Sequence, residues 1–377
     1  MKKIDKPILI SRPYMPDMSD FTKEAQSLWD TRWLTHNGPL VSEFEKQVSA
    51  KLMVNNAVVY ANGHLALDAA IRSLDLTGEV ITTPFTYIST SHAISMNGLK
   101  IVYCDIKESD GTMDEDKIEA LITDKTCAIV PVHVYGFPCN CKKIEEIAKK
   151  YNLKVIYDAA HAFGVSVDGK GIGSFGDISM FSFHATKVFH TVEGGLLTFN
   201  DSSMKDRLIS EKNFGMIAPE EADKISLNAK MTELHAAMGI ANLKSIDWQI
   251  SHRKELLLHY RERFSQIRGI RVFDWDKENV VYNYAYFPII INEDVAGVSR
   301  DVVAEKMEKE YNIFARKYFF PLLSDLICYK NDHDSKDTPI AKKMADSVMT
   351  LPLYVDLTHE QIDYIADAVT EIIEGVK

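Results

Sequence analysis

A lysine lies in the middle of the segment SFHATKVFHTVEGG (residues 182–195), and the flanking stretches DISMF and LLTF have the composition of buried strands. A lysine ammonium is costly to bury unless the protein gives it a partner or uses it. Lys187 is therefore a candidate for covalent chemistry or proton transfer. The alternative is a lysine whose long side chain reaches solvent.

Two other segments end a predicted strand with polar residues. In LKVIYDAAHAFG, Asp158 closes an apolar strand and His161 follows three residues later. A carboxylate at the end of a buried strand needs a partner. The alternatives are a helix N-cap for Asp158 and a hydrogen-bonded core histidine for His161. In YANGHLALDAA, Asn62 and Gly63 precede a helix that begins near His64; free amides there can bind a phosphate, although an ordinary turn fits the pattern as well.

Strands and helices alternate from about residue 57 to 200. This alternation predicts βαβ units and a mostly parallel sheet, whose ligands bind outside the carboxyl ends of the strands. A long helical pattern from 230 to 267 precedes a strand, YAYFPIII. Three helical stretches follow, near 299–310, 339–348 and 359–374. We predict an α/β fold with an N-terminal arm and large domain over residues 1–245 and a smaller C-terminal α/β domain over residues 246–377.

The composition narrows the possible partners. The 377 residues carry a formal net charge of −11, which argues against a general nucleic-acid-binding protein. Five cysteines without paired spacing indicate neither a disulfide framework nor a metal site. No apolar run approaches the roughly 20 residues of a membrane span, and the N-terminal segment is a poor signal peptide. We expect a soluble cytoplasmic protein that binds neither nucleic acid nor membrane.

One cofactor, pyridoxal 5'-phosphate, would use all three strand ends. It needs a lysine for covalent attachment, an acid opposite its ring nitrogen and a cradle for its phosphate. Asp158 would keep the ring nitrogen protonated, and Lys187, 29 residues later, would attach the cofactor. Phe85, in the strand-end segment TTPFTYIST, would stack on the ring unless it is an ordinary core residue. The phosphate would be bound by Asn62, Gly63 and Ser182.

These segments also carry a resemblance to a known family. The chain resembles the sugar aminotransferases of the DegT/DnrJ/EryC1/StrS family, which have the aspartate aminotransferase fold (fold type I). The matching segments follow one another along nearly the whole chain, and DAAHA and FHATK at their spacing are the most specific. The segments are WLTHNGPLVSEFE (33–45), ANGHLAL (61–67), TTPFTYIST (82–90), VHVYGFPC (132–139), YDAAHAFG (157–164), SFHATKVFHTVEGG (182–195), LNAKMTELHAAMG (227–239), RKYFFPLL (316–323) and LPLYVDLT (351–358).

The resemblance implies a role for each matching residue. Lys187 would attach the cofactor and then act as general base, Asp158 would pair with the pyridinium nitrogen, and His161 would lie against the ring. Asn228, in LNAKM, would reach the phosphate site of the neighbouring subunit, which implies a homodimer with shared active sites. Further cofactor-binding positions are Asn62, Gly63, His64, Phe85, Ser182 and His184. Residues that would line the sugar-nucleotide cleft are Thr35, Asn37, Gly38, Arg316 and Tyr318.

The resemblance also implies a substrate. Relatives with FHATK and EGG resemble enzymes that aminate C4 of nucleotide-linked 4-keto-6-deoxy sugars, with L-glutamate as amino donor. The whole pattern is closest to the relatives that use dTDP-4-keto-6-deoxyglucose, whose products enter O-antigens and other surface polysaccharides. A UDP- or GDP-linked keto sugar, or amination at C3, remains an alternative.

Three further hypotheses stay open beside this one. A cofactor-dependent sugar dehydratase of the same fold replaces the lysine with histidine, whereas this chain has Lys187. A non-catalytic sensor that binds the cofactor or a sugar nucleotide, or a structural α/β protein with an accidental motif, would not need an intact lysine and aspartate. One departure concerns the phosphate turn, where relatives often have a hydroxyl residue and this chain has His64; we expect the cofactor affinity to survive it.

Overall fold

The computed structural model describes residues 1–375. Its strands are, in chain order, β1 (Asn56–Tyr60), β2 (Glu79–Thr82), β3 (Lys100–Tyr103), β4 (Thr126–Val130), β5 (Lys154–Asp158), β6 (Ser166–Val167), β7 (Lys170–Gly171), β8 (Ile178–Ser182), β9 (Gly195–Phe199), β10 (Met216–Ala218), β11 (Glu221–Ala222), β12 (Ile270–Val272), β13 (Val280–Val281), β14 (Phe287–Ile291) and β15 (Val348–Leu351).

Helices cover the sheets and fill the connections between strands. They are α1 (Met18–Thr31), α2 (Pro39–Leu52), α3 (Gly63–Ser73), α4 (Ile88–Met96), α5 (Glu115–Ile118), α6 (Cys141–Tyr151), α7 (Lys205–Glu211), α8 (Glu233–Leu243), α9 (Ile246–Phe264), α10 (Glu293–Ala296), α11 (Arg300–Tyr311), α12 (Pro339–Ser347) and α13 (His359–Glu374). The long helical pattern predicted over 230–267 is therefore two helices, α8 and α9.

A seven-stranded sheet in the order β1-β9-β8-β5-β4-β2-β3 forms the centre of the N-terminal part. The pairs from β3 to β8 are parallel, whereas β9 runs against both of its neighbours, β1 and β8. The predicted α/β fold with a mostly parallel sheet is confirmed. Because β1, β2, β5 and β8 point the same way, their carboxyl ends meet at one edge of the sheet.

Both faces of this sheet are buried. Val58 and Val59 are adjacent in β1, point to opposite faces and are both fully buried. One face packs on α2, α6 and α8, and the other packs on α3, α4 and α7. Strands covered on both sides need apolar residues at every position, which is why segments such as CAIV show no alternation.

The C-terminal part is built on a three-stranded antiparallel sheet in the order β12-β14-β15. Helices α9 and α13 pack together over it. The Tyr260 ring stacks on Phe287 with ring centroids 4.5 Å apart, and its hydroxyl donates to the carbonyl of Pro352 at 2.8 Å. These elements lie within residues 246–377, where the sequence predicts a smaller C-terminal α/β domain.

The chain crosses between the two parts more than once. The amide of Ile8 donates to the carbonyl of Asn312 at 3.0 Å, and the amide of Phe314 donates to the carbonyl of Ile8 at 2.9 Å. The first residues therefore pack on the C-terminal unit, although the predicted boundary assigns residues 1–245 to the large domain. In the other direction, β13 of the C-terminal part pairs with β6 of the large part. The boundary near residue 245 stays a prediction.

Candidate active site

Asp158 is the last residue of β5 and is almost fully buried. Its Oδ2 accepts a hydrogen bond from the Thr90 hydroxyl at 2.7 Å, and its Oδ1 accepts one from the Ala160 amide at 3.0 Å. Burial raises the pKa of this carboxyl, while the two hydrogen bonds and the nearby Lys187 charge act in the opposite direction. The carboxylate is thus fixed in orientation at the sheet edge where ligands bind.

Lys187 follows β8 in a loop and is partly exposed. Among the described residues its ammonium has no hydrogen-bond or salt-bridge partner. Protein atoms nevertheless surround it closely enough for burial to lower its pKa, against the opposing effect of Asp158. The two groups influence each other's pKa without forming an ion pair, and the separation between them is called the gap below.

His161 lies beside this gap and is nine-tenths buried. Its Nδ1 accepts a hydrogen bond from the Tyr135 amide at 3.1 Å, so the ring proton is on Nε2. The ring stacks on Phe319 at 6.0 Å and lies 4.6 Å from the Tyr286 ring. Burial and then the Lys187 charge hold the pKa of His161 well below its usual value, so this histidine is neutral at physiological pH.

The predicted phosphate turn is at the same sheet edge. Gly63 begins α3, and the Asn62 side chain caps the helix by accepting from the Leu65 amide at 2.9 Å. A Cβ added at Gly63 would lie 2.9 Å from the Cβ of Ser182, so only glycine allows these strand ends to approach. The His64 ring shares a 2.9 Å hydrogen bond with the Ser89 hydroxyl. A helix N-terminus beside a serine is an anion-binding arrangement.

Two predicted cofactor ligands have exposed side chains in this chain. His184 shares a 2.8 Å hydrogen bond with the Thr186 hydroxyl and lies 3.7 Å from the Glu193 carboxylate. Asn228 accepts from the Lys230 ammonium at 2.7 Å. The exposure of Asn228 is compatible with the predicted reach into a neighbouring subunit, and that role stays a prediction.

Three of the predicted sugar-cleft residues, Thr35, Asn37 and Gly38, lie in the segment 35–38 that precedes α2. Glu233, at the start of α8, fixes this segment: its carboxylate accepts from the Leu40 amide at 2.7 Å, and a Cβ on Gly38 would lie 2.7 Å from its Cδ. The Oδ1 atom of Asn37 is buried without a partner in the described residues. Asn37 is thus held with an unused acceptor, whereas Thr35 is partly exposed.

The other two predicted cleft residues belong to the C-terminal part. The Tyr318 hydroxyl lies close enough for its charge to influence Lys187, and its carbonyl accepts a hydrogen bond from the Tyr135 hydroxyl. The Arg316 guanidinium is exposed and lies 5.9 Å from the Tyr318 ring. The structure therefore brings Tyr318 beside Lys187 and leaves Arg316 at the surface next to it.

The position of Phe85 corrects one prediction. Phe85 is fully buried and makes edge-to-face contacts with Tyr135 and Phe319, so it has no exposed face for a cofactor ring. Tyr87, two residues later, is 62% exposed and close enough to influence Lys187. The sequence signal for Tyr87 is present in TTPFTYIST, since it is the second aromatic of that segment.

These residues fit pyridoxal 5'-phosphate. A lysine and an acid lie across a gap without pairing, a neutral histidine borders the gap, and a helix N-terminus beside a serine offers donors for a phosphate. This combination at the carboxyl edge of a mostly parallel sheet defines an enzyme of fold type I that uses pyridoxal 5'-phosphate. Among residues 1–375, no group of three or more possible metal ligands comes together. None of the helices described combines the length and the apolar character needed to span a membrane.

Comparison with known proteins agrees with this class. Residues 17–370 match the DegT/DnrJ/EryC1/StrS aminotransferase family, and the chain belongs to that family. It is a sugar-nucleotide aminotransferase that depends on pyridoxal 5'-phosphate.

Individual relatives and a solved structure cover almost all of the chain. It is 39% identical over 369 residues to a dTDP-4-amino-4,6-dideoxy-D-glucose transaminase of Shigella dysenteriae, covering 98% of this chain and 100% of the relative. It is 31% identical over 364 residues to a GDP-perosamine synthase of Escherichia coli O157:H7, and the match covers 95% of this chain and 97% of the relative. The structure of DesI, determined in the presence of its TDP-sugar product, superposes with a TM-score of 0.94 at 33% identity. The superposition covers 100% of this chain and 95% of the DesI chain.

Proposed function

We propose that the protein transfers the amino group of L-glutamate to C4 of dTDP-4-keto-6-deoxyglucose, giving dTDP-4-amino-4,6-dideoxyglucose. The observation that carries this substrate is the full-length similarity to a transaminase named for that sugar. The GDP-perosamine synthase is less similar, at 31% identity, which favours dTDP over GDP. The product would serve the synthesis of a surface polysaccharide such as O-antigen.

Lys187 is proposed as the proton carrier in both half-reactions. Its lowered pKa favours the neutral amine, which can accept a proton from a substrate carbon and return it to a second carbon. When bound, pyridoxal 5'-phosphate supplies the electron sink that stabilises charge at the reacting carbon. Because Lys187 has no partner among the described residues, it can move between the two carbons without breaking a hydrogen bond.

Asp158 and His161 are proposed to orient the cofactor ring. Both Asp158 oxygens already accept a hydrogen bond, so the carboxylate cannot turn away from a protonated ring nitrogen. Neutral His161 carries its proton on Nε2, because its Nδ1 accepts from the Tyr135 amide, and we propose that this proton faces the cofactor ring. Tyr87 replaces Phe85 as the aromatic residue that we propose to cover the ring.

Asn228 is proposed to complete the phosphate site of a second subunit, which makes the functional unit a homodimer. Its exposed side chain and the exposed neighbouring Phe214 support this proposal. Ser182, with Asn62 and Gly63, would bind the phosphate from the same chain. A mixed dimer of Lys187→Ala and Asn228→Ala subunits tests the arrangement, since one of its two sites would receive both intact residues and regain cofactor-dependent activity.

The substrate is tested by following each half-reaction by absorbance. The loaded protein is treated with L-glutamate until the visible absorbance of the cofactor is lost, the glutamate is removed, and dTDP-4-keto-6-deoxyglucose is added. We expect the absorbance to return and NMR of the product to show the amine at C4. If the absorbance returns only with a GDP- or UDP-linked ketone, the assignment of dTDP is wrong. An amine at C3 would refute amination at C4. A protein whose absorbance does not respond to glutamate would refute L-glutamate as the amino donor.

A further inference from the structure

Glu233 is a buried acid without a charged partner. It is the first residue of α8 and is fully buried. Its carboxylate accepts from the Leu40 amide at 2.7 Å and lies 3.4 Å from the Val41 amide, and in the part of the chain that the structure describes no cation pairs with it. A buried carboxylate needs hydrogen bonds to replace its hydration. Main-chain amides that are far away in the sequence supply them here.

These amides belong to the first turn of α2. The N-cap residue of that helix is Gly38, which has no side chain to accept from them, and the next residue is Pro39, which has no amide hydrogen. The amides of Leu40 and Val41 are therefore left for another acceptor. Glu233 supplies it, and it can approach only because a glycine precedes the helix, since a Cβ on Gly38 would lie 2.7 Å from its Cδ.

The main chain of Glu233 holds the other end of the same segment. Its amide donates to the carbonyl of Leu34 at 3.1 Å, so Glu233 contacts the chain on both sides of residues 35–38. Within this segment His36 and Asn37 have φ angles of 65° and 53°, a left-handed conformation that residues with side chains rarely adopt. Such conformations persist where the surrounding structure fixes them. The Oδ1 atom of Asn37 is buried there without a partner in the described residues.

The start of α8 connects this segment to the active site. Met231, two residues before Glu233, packs on Gly194, since a Cβ added to that glycine would lie 2.7 Å from the methionine Cε. The carbonyl of Gly194 accepts from the amide of Phe183 at 2.8 Å. Phe183 directly follows Ser182, which we propose as a phosphate ligand. The segment that Glu233 holds is therefore near the carboxyl end of β8, where the cofactor site is.

We propose that Glu233 is a positioning residue for the sugar nucleotide: it holds residues 35–38 in the shape that offers Asn37 Oδ1 to a hydroxyl of the keto sugar. A buried acceptor needs a donor, and the ketone and the phosphates of this substrate have acceptors only. The hydroxyl groups of the sugar are donors next to the reacting carbon, which must reach the cofactor. Glu233 itself would not touch the substrate. The inference rests on the proposed function.

The test separates the two substrates in single turnovers of Glu233→Gln and Glu233→Ala. The keto sugar is titrated on enzyme that already carries the amino group, and L-glutamate is titrated on the loaded enzyme. We expect the half-saturating sugar concentration to rise about 10-fold or more in Glu233→Ala and about threefold in Glu233→Gln, which keeps one oxygen acceptor. The rate at saturating sugar and the glutamate titration should both stay within about twofold of wild type. An equal rise for both substrates would overturn the proposal.

A second substitution tests whether Glu233 acts through Asn37. Asn37→Gly removes the acceptor and keeps a residue that adopts the left-handed conformation readily. It should raise the half-saturating sugar concentration by itself, and Glu233→Gln added to it should cause no further rise, because the contact that Glu233 supports is already lost. The inhibition constant of dTDP, which lacks the keto sugar, should stay unchanged in all these variants. Additive effects, or an equal weakening of dTDP, would contradict the inference.

Asp105 provides a matched control. It is also a buried carboxylate that accepts from the first amides of a distant helix, those of Ile340 and Ala341 in α12, at 3.2 and 2.8 Å. Asp105→Asn should lower the unfolding temperature without changing the sugar titration. Cofactor content and thermal unfolding are recorded for every variant.

The outcomes distinguish this inference from the proposed function. If Glu233→Ala does not fold, Glu233→Gln decides, and an unchanged sugar affinity in that folded variant refutes the role of Glu233. If wild type regains its absorbance with another nucleotide-linked keto sugar, the titrations use that sugar and its nucleotide. If no keto sugar restores the absorbance of wild type, the proposed function fails, and the inference fails with it.

Discussion

Lys187 and Lys212 are both lysines whose pKa is lowered by burial, yet their surroundings differ. Lys212 is 1% exposed, donates to the Val59 carbonyl at 3.0 Å and lies 3.5 Å from the Glu45 carboxylate. Lys187 is partly exposed and has no such partner in the described part of the chain. The Lys212 ammonium is therefore bound by neighbouring groups, whereas the Lys187 ammonium lies at the edge of the gap without a hydrogen-bond partner in the described residues.

The difference shows that a lowered pKa alone does not mark a reactive lysine. Desolvation lowers the pKa wherever a lysine is enclosed, whether its role is structural or chemical. What distinguishes Lys187 is the acid that it influences without pairing, Asp158, and the neutral His161 beside them. Four experiments test whether the two lysines differ in this way.

The largest expected effect is that of Lys187→Ala on turnover. Removal of the amine at the gap should reduce kcat by about 10⁴-fold or more, because attachment and proton transfer both depend on it. The circular dichroism spectrum should be unchanged. Activity within tenfold of wild type would show that Lys187, like Lys212, takes no part in the reaction.

Asp158→Asn should lower kcat by about 10²-fold or more while keeping the side-chain shape. An amide can still accept from Thr90, but it cannot stabilise a protonated ring nitrogen. The measurement is kcat at saturating substrates, with bound cofactor quantified after denaturation. A loss explained entirely by missing cofactor would assign Asp158 a binding role only.

Lys212→Met should change stability instead of chemistry. The variant loses the hydrogen bond to Val59 and leaves Glu45 without its cation, which should cost about 1–3 kcal/mol in the free energy of unfolding. The kcat of the loaded enzyme should stay within about twofold of wild type. Urea unfolding and steady-state kinetics on the same preparation decide, and a large fall in kcat with normal stability would contradict the structural role.

The smallest effect concerns the cofactor-free protein and pH. The pKa of Lys187 is lowered in the folded chain from its ordinary value of 10.5, so the unfolded chain binds more protons between these two values. The stability of wild type should therefore rise with pH across that window, and Lys187→Met should remove this part of the slope. Below the window the variant should be more stable by about 0.5–2 kcal/mol, since it buries no unpaired cation.

Chemical unfolding of the cofactor-free proteins from pH 7 to 10 checks this prediction. Lys212→Met is the control, because its lost hydrogen bond should outweigh the removed charge at every pH. If Lys187→Met and Lys212→Met destabilise the protein equally, the proposed difference between the two lysines is wrong.

Much of the fold could be predicted from local patterns. Alternating strands and helices imply that consecutive parallel strands end at one edge, so the sequence pattern alone predicts that Asp158, Ser182 and the turn at Gly63 lie together. The antiparallel direction of β9 could not be predicted, because its apolar sequence is equally suited to either direction. The break between α8 and α9 could not be predicted either, since the helical pattern continues through residue 245.

The site was predictable where chemistry follows from residue type, and not where it depends on packing. Phe85 and Tyr87 are both aromatic residues of one loop, and only the folded chain shows which one is buried. Thr90 contacts Asp158, and Glu233 holds the segment 35–38, but each partner is far away in the sequence. Sequence patterns therefore could not predict these contacts.

The contacts of Ile8 have a mechanical consequence. The C-terminal unit is attached to the rest of the protein by the covalent chain entering α9, by the pairing of β13 with β6 and by the backbone hydrogen bonds of Ile8 with Asn312 and Phe314. Each attachment restricts rotation, so we expect an opening movement of this unit to break at least one of them.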